Sequence, residues 1–169
     1  NPIDHILGNL FELRDYCLIG KKDIALKKQE EATKKLAPPF HLLAGFSSVF
    51  IGEAANDIKL VESGISKVKE FLKIKDFSHI KIVLDLGKAS LYRLDKEFDK
   101  AIKEYIALKD RADSIGVGPD TIIGLMESYI GNNEVKSAVK LGEEGLIKYP
   151  YRGTNVLALS KAYYINEDI

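Results

Sequence analysis

The sequence predicts an all-α chain of antiparallel helical hairpins, and three observations lead there. Apolar residues recur at the 3.6-residue spacing of a helix face. Strand signals are scarce: there is no Asn-Gly hairpin, little apolar–polar alternation, and Val and Thr are few beside Leu, Lys, Glu, Ala and Ile. Polar and Gly/Pro breaks fall at Lys21 to Asp23, Pro38–Pro39, Glu53 to Asp57, Lys75 to Ser78, Asp95–Lys96, Gly116 to Pro119, Asn132–Asn133 and Pro150 to Gly153. They leave about nine helices of about 12 to 17 residues, whose short connections favour antiparallel neighbours.

The first hairpin, approximately 3–36, sets Tyr16 nine residues before Ala25, with Gly20 between them. Its basic run of Lys21, Lys22, Lys27, Lys28, Lys34 and Lys35 is interrupted by Asp23, Glu30 and Glu31, the pattern of a solvated helix face. The second, 39–73, carries Leu43, Phe46 and Phe50 and then Val61, Ile65 and Val68, which reads as the same design with two residues added to the turn. In the third, 79–113, Tyr92 precedes Ala101 by nine residues. Its first helix has two registers, one placing Asp85 and Lys88 at apolar positions, the other using Val83, Leu86 and Gly87. Its second helix aligns Phe98, Ala101, Ile102, Tyr105, Leu108 and Ala112 on one stripe.

Three extra residues around Ile115 to Gly118 then read as a surface insertion. The fourth hairpin, 120–149, again sets Tyr129 nine residues before Ala138. A partial fifth, 154–169, follows at a spacing of 34: Val156 falls on Ile122, Leu159 on Leu125, Ser160 on Met126 and Tyr163 on Tyr129. A fixed period of this length is the mark of a repeat architecture. Tyr16, Tyr92, Tyr129 and Tyr163 recur with it and read as core, whereas Tyr149, Tyr151 and Tyr164 break it.

The unit Ile122, Leu125, Tyr129, Ala138 and Pro150 resembles the tetratricopeptide repeat, whose pattern has Trp, Leu, Tyr, Ala and Pro there. It departs at Met126, where the family has glycine, and at Gly142 and Gly145, where it has bulky residues. Two glycines inside a helix cost about 1 kcal/mol each against alanine, so a tight crossing or a kink is expected. The resemblance implies a right-handed superhelix of about four and a half hairpins forming one domain over 1–169. It also implies a concave groove, lined by the first helix of each hairpin, that holds a peptide or partner helix.

Counting from the recurrent tyrosines assigns to that groove Ile123, Glu127 and Ile130, then Leu157, Lys161 and Tyr164, and in the third hairpin Leu86, Ser90 and Arg93. Tyr164 is the expected aromatic anchor. Family members that grip acidic chaperone tails use Lys, Asn and Arg at such positions. Ile123 and Glu127 stand at two of them here, and Glu127 would repel a carboxylate, so a carboxylate clamp is not expected. In the fifth hairpin Val156, Leu159 and Tyr163 lack a following helix within the sequence, so either the parent protein continues, another subunit covers this stripe as an oligomer or partner surface, or the helix is itself the cap.

Composition narrows the function classes further. Twenty-five basic and 25 acidic residues cancel, neither half has a clear excess, and no basic face for nucleic acid emerges. The single cysteine, Cys17, excludes an intramolecular disulfide and a Cys-based zinc site within the chain. His5, His41 and His79 are scattered at no metal-ligand spacing. Gly87-Lys88-Ala89-Ser90 lacks the upstream glycine of a phosphate loop, and no Gly-x-Ser-x-Gly elbow occurs. No span of about 18 apolar residues and no secretory signal is present, and a cytoplasmic setting is expected. The expectation is a non-catalytic scaffold with no cofactor and no metal, binding another protein or a peptide. The alternative is a structural or assembly subunit, or homo-oligomer, that docks through its C-terminal helix.

Overall fold

The computed structural model describes residues 12–35, 41, 44–74, 78–150 and 153–167. Every regular element among the described residues is helical and none is a strand. We label them α1 (12–18), α2 (Lys22–Lys34), α3 (Ala44–Ala54), α4 (Ile58–Ile74), α5 (Ser78–Leu94), α6 (Phe98–Lys109), α7 (Gly118–Gly131), α8 (Val135–Lys148) and α9 (Gly153–Glu167). A 3-10 turn, Ala112–Ile115, lies between α6 and α7. Ala112, expected at the end of the α6 stripe, is the first residue of that turn and is still fully buried. His5, the Pro38–Pro39 break, Leu43 and Tyr151 lie outside the described residues.

Contacts group the chain into two compact units, Asn1–Gly87 and Lys88–Ile169, with the boundary inside α5.

Four turns between consecutive α-helices close in one way, two in each unit, and the 3-10 turn before α7 closes likewise at Gly116. The carbonyls of Tyr16, Gly52, Tyr92 and Tyr129 accept from the N–H groups of Lys21, Asp57, Glu97 and Glu134 at 2.7, 2.7, 2.8 and 2.8 Å. The N–H groups of Gly20, Asn56, Lys96 and Asn133 reach the carbonyls of Cys17, Glu53, Arg93 and Ile130. This is a Schellman closure, and it needs one left-handed residue. Gly20, Asn56, Lys96 and Asn133 supply it, at φ 76, 51, 61 and 62°. Nine residues after each accepting carbonyl stands a small or branched side chain with no exposure: Ala25, Val61, Ala101 and Ala138. The second turn therefore contains no added residues. Gly52 occupies the place that tyrosine holds elsewhere, which is why counting from Phe50 overestimates the turn.

The first unit is organised around α3, which is buried continuously from Ala44 to Gly52. It packs closely on α4 because glycines face each other: a Cβ at Gly45 would lie 2.7 Å from the Gly64 carbonyl, and one at Gly64 would lie 2.7 Å from the Gly45 carbonyl. The polar groups of α3 are met by Gln29 of α2, whose amide nitrogen lies within hydrogen-bond distance of the Ala44 carbonyl and of the hydroxyls of Ser47 and Ser48, at 2.8, 2.6 and 2.9 Å. Leu13, Cys17, Ala25 and Ile51 form a second buried cluster. At the start of α4, the Asp57 carboxylate accepts from the Leu60 N–H at 3.1 Å and from Lys22 Nζ at 2.5 Å, a cap that also ties α2 to α4.

In the second unit α7 is the shared wall, packing against α6, α8 and α9. Tyr105 of α6 is fully buried; its ring fills the space that a Gly124 side chain would need on α7, and its hydroxyl lies 3.1 Å from Ser90 Oγ of α5. Gly142 of α8 has Met126 of α7 and Leu159 of α9 against it, so a tight crossing accounts for this glycine.

The surface insertion expected around Ile115 to Gly118 is only half at the surface: Ile115 is half-buried and Gly116 exposed, and the chain turns inward from Val117. Val117, Gly118, Pro119, Asp120 and Thr121 are buried. The Asp113 carboxylate accepts from the Tyr149 hydroxyl and from Lys148 Nζ, which clasps the 3-10 turn to the end of α8. Gly118 is required beneath that clasp, since a Cβ there would meet both Asp113 Oδ1 and the Tyr149 hydroxyl. Partial burial pushes the Asp113 carboxyl up, and the bonds from Lys148 and Tyr149 outweigh it and leave it below the ordinary carboxylate range.

The recurrent tyrosines are not core residues. Tyr16, Tyr92 and Tyr129 are half-buried at the hairpin ends and Tyr163 is exposed. Lysine ammonium groups lie over two of the rings, Lys28 at 5.2 Å from Tyr16 and Lys100 at 5.5 Å from Tyr92.

Candidate functional site

The residues assigned to a groove fall on α5, α7 and α9, and the structure divides them into three groups. Leu86 does not belong to any surface: it is fully buried with Val83, Gly87 and Ala89, because α5 adopts the register in which those residues turn inward. Ser90 is likewise buried and spends its hydroxyl on Tyr105. These two readings are corrected by the same one-residue rotation of the stripe, which leaves Lys88 exposed.

Arg93 and Glu127 are brought together. Arg93 Nη1 lies 2.7 Å from Glu127 Oε2, with only 9% of the Arg93 side chain exposed. The cation that the end of α5 contributes to this face is thus already paired with a carboxylate on α7. An incoming carboxylate would have to compete with Glu127 for it.

Ile123 and Ile130 are half-buried on α7, on either side of Glu127. α9, which packs against α7, has far more exposed apolar surface. Leu157 is 64% exposed and Tyr164 72%, while Lys161, between them in the sequence, is exposed too. Spacings of four and three residues set Leu157, Lys161 and Tyr164 on one face of α9. What α9 offers chemically is an apolar face with one cation, Lys161, between Leu157 and Tyr164 in the sequence. Among the described residues no group of three or more His, Cys, Asp and Glu side chains could hold a metal ion, and no helix is long and apolar enough to cross a membrane.

The stripe assigned to an oligomer or partner surface is also redistributed. Leu159 is buried against α8 and is not available to a partner. Val156 and Tyr163 remain exposed, and Tyr163 donates its hydroxyl to Glu143 Oε1 of α8 at 2.5 Å. That bond holds the phenol proton and raises its pKa. Sequence reasoning passed over two participants here: Glu143, which anchors Tyr163, and Ser160, which stands exposed between Val156 and Tyr163. The spacing of 156, 160 and 163 by four and three residues was the available signal for Ser160. Glu143 left none, because it meets Tyr163 only through the packing of α8 on α9.

Compared with protein-family models, with curated proteins and with solved structures, the chain matches none.

Proposed function

We propose that the chain is a non-catalytic interaction scaffold of tetratricopeptide-like hairpins that binds a peptide or a partner helix across α7 and α9. The observation that carries this reading is the exposure of Leu157, Lys161 and Tyr164 on one face of a helix that packs against α7. A half-exposed apolar surface on a rigid helical support is what an extended or helical ligand requires, and tyrosine is among the residues that dominate such interfaces. The recurring turn geometry supports the repeat reading, since each hairpin closes through the same two hydrogen bonds. The Arg93–Glu127 pair favours ligands with apolar anchors over those that present a terminal carboxylate.

The test is to select peptides from a displayed random library on the wild-type chain and to titrate the winners against Tyr164→Ala, chosen because this side chain is mostly exposed and its loss leaves the core intact. Binding should weaken at least tenfold, as expected of an aromatic anchor. Amidation of the peptide C-terminus should change affinity little. Peptides that need a free C-terminal carboxylate, or that bind Tyr164→Ala as tightly as wild type, would refute the assignment.

A further inference from the structure

We propose that Lys161 is the specificity-determining residue of the exposed α9 face, and that the ligand it selects is a helical segment carrying an Asp or Glu side chain between two apolar ones. The proposal rests on the reading that Leu157, Lys161 and Tyr164 bind a peptide or partner helix, and it names that ligand's chemistry. The face belongs to a side of the hairpin that stays open when more helices follow. At a spacing of 34 residues, Leu157, Lys161 and Tyr164 fall on Ile123, Glu127 and Ile130 of α7. Those three are still partly exposed although α8 and α9 both pack on α7, whereas Leu125 and Met126 of the same helix are covered. On α9 the inward residues are Leu159 and Ala162, both buried.

The two helices differ in how the charge at this position is met. On α7 it is answered inside the chain, since Glu127 Oε2 lies 2.7 Å from Arg93 Nη1 of α5. On α9 the sign is reversed, and Lys161 is the single charged residue between Gly153 and Asn166. Among the described residues no carboxylate lies within ion-pair distance of its ammonium group. Neutralising it therefore falls to the ligand. A segment apolar throughout would cover the ammonium without a partner, and a basic one would set a like charge against it. An acidic side chain instead supplies a charge-assisted hydrogen bond.

Helix geometry fixes where that acid stands. Leu157 and Tyr164 are seven residues apart, a rise of about 10 Å along the axis, with Lys161 about 6 Å beyond the first and about 4.5 Å short of the second. A helix laid along α9 matches this with two apolar residues seven positions apart and an Asp or Glu three or four residues from each. A carboxylate at the end of a chain does not meet the requirement, because the charge has to fall between the anchors and not beyond them.

The test uses the full chain and peptides selected on it from a displayed random library, keeping those that Tyr164→Ala weakens at least tenfold. These should carry an Asp or Glu three or four residues from each of two apolar residues. They are titrated against Lys161→Met and Lys161→Glu, both at an exposed position that leaves the core intact. Lys161→Met should weaken them about two- to fivefold, the yield of one exposed ion pair. Lys161→Glu should weaken them about tenfold, because attraction becomes repulsion, and replacing the peptide's acid with lysine should restore binding to that variant while weakening binding to the wild type. Tyr164-dependent peptides with no acid between their anchors overturn the proposal and leave the α9 site standing. So do acid-centred peptides that bind Lys161→Glu as tightly as the wild type, or lysine-exchanged peptides that gain nothing on Lys161→Glu. A library that yields no Tyr164-dependent peptide overturns the site itself, and the proposal with it.

Discussion

Lys96 occupies the left-handed position of the α5–α6 turn at φ 61°, where the first turn has Gly20. A residue with a Cβ pays about 1–2 kcal/mol for that conformation, and glycine costs about 0.4–1 kcal/mol more unfolded-chain entropy. The steric term is the larger, so Lys96→Gly should stabilise by roughly 0.5–1 kcal/mol and Lys96→Val should destabilise, both read from the denaturation midpoint. Asn133 holds the same conformation more cheaply, since asparagine tolerates it, and its replacement by glycine should gain less. Asp57 gives a pH-dependent case. The Lys22 ammonium, and after it the Leu60 N–H, hold the Asp57 carboxyl below its ordinary range. A group depressed on folding contributes stability above its unfolded pKa and loses it as the pH falls through the folded value. Asn caps a helix about as well as Asp, so Asp57→Asn isolates the exposed ion pair and should cost about 0.2–1 kcal/mol at pH 7. That difference should close as the pH falls below about 4, and urea titrations of the two proteins across this range would reveal it.

At the scale of elements, glycine decides which helices approach closely, but the neighbour decides what replacing it does. At Gly64 the new Cβ would meet backbone, the Gly45 carbonyl at 2.7 Å and the Val49 nitrogen at 2.8 Å, and neither can move without separating α3 from α4. At Gly142 it would meet the ends of flexible side chains, Met126 Cε at 2.6 Å and Leu159 Cδ1 at 2.7 Å. Both substitutions gain about 1 kcal/mol of helix propensity. At Gly64 overpacking should exceed that gain and leave a net loss of at least 1–2 kcal/mol, roughly the upper part of the usual overpacking range. At Gly142 rotation of the two side chains should hold the net change within about 1 kcal/mol of zero. Thermal unfolding of Gly64→Ala and Gly142→Ala would separate the two cases; equal losses would show that side-chain adaptability is not what distinguishes them. Neither contact was visible in the sequence, where Gly45 and Gly64 are simply two glycines 19 residues apart.

For the whole molecule, the exposed Leu157–Lys161–Tyr164 face of α9 predicts that Tyr164→Ala weakens peptide binding while stability stays within about 0.5 kcal/mol of the wild type. Peptide titration and thermal unfolding of the same variant check this. The all-helical composition and the positions of most breaks were legible in the sequence because they depend on local chemistry, on apolar period and on residues that tolerate turns. So was the nine-residue interval between each turn carbonyl and the buried residue of the next helix, in three of four hairpins. The fourth was hidden because Gly52 stands where the others have tyrosine. What the sequence left open was which side of a helix is covered. Leu86 and Leu159 were counted as surface and are core, the recurrent tyrosines were counted as core and are half-buried or exposed, and the insertion around Ile115 to Gly118 was counted as surface, whereas its Val117 and Gly118 are buried. Each of these depends on what lies opposite in space. Periodicity marks a stripe, but only the packing of neighbouring helices determines whether it meets another helix, a lysine or water.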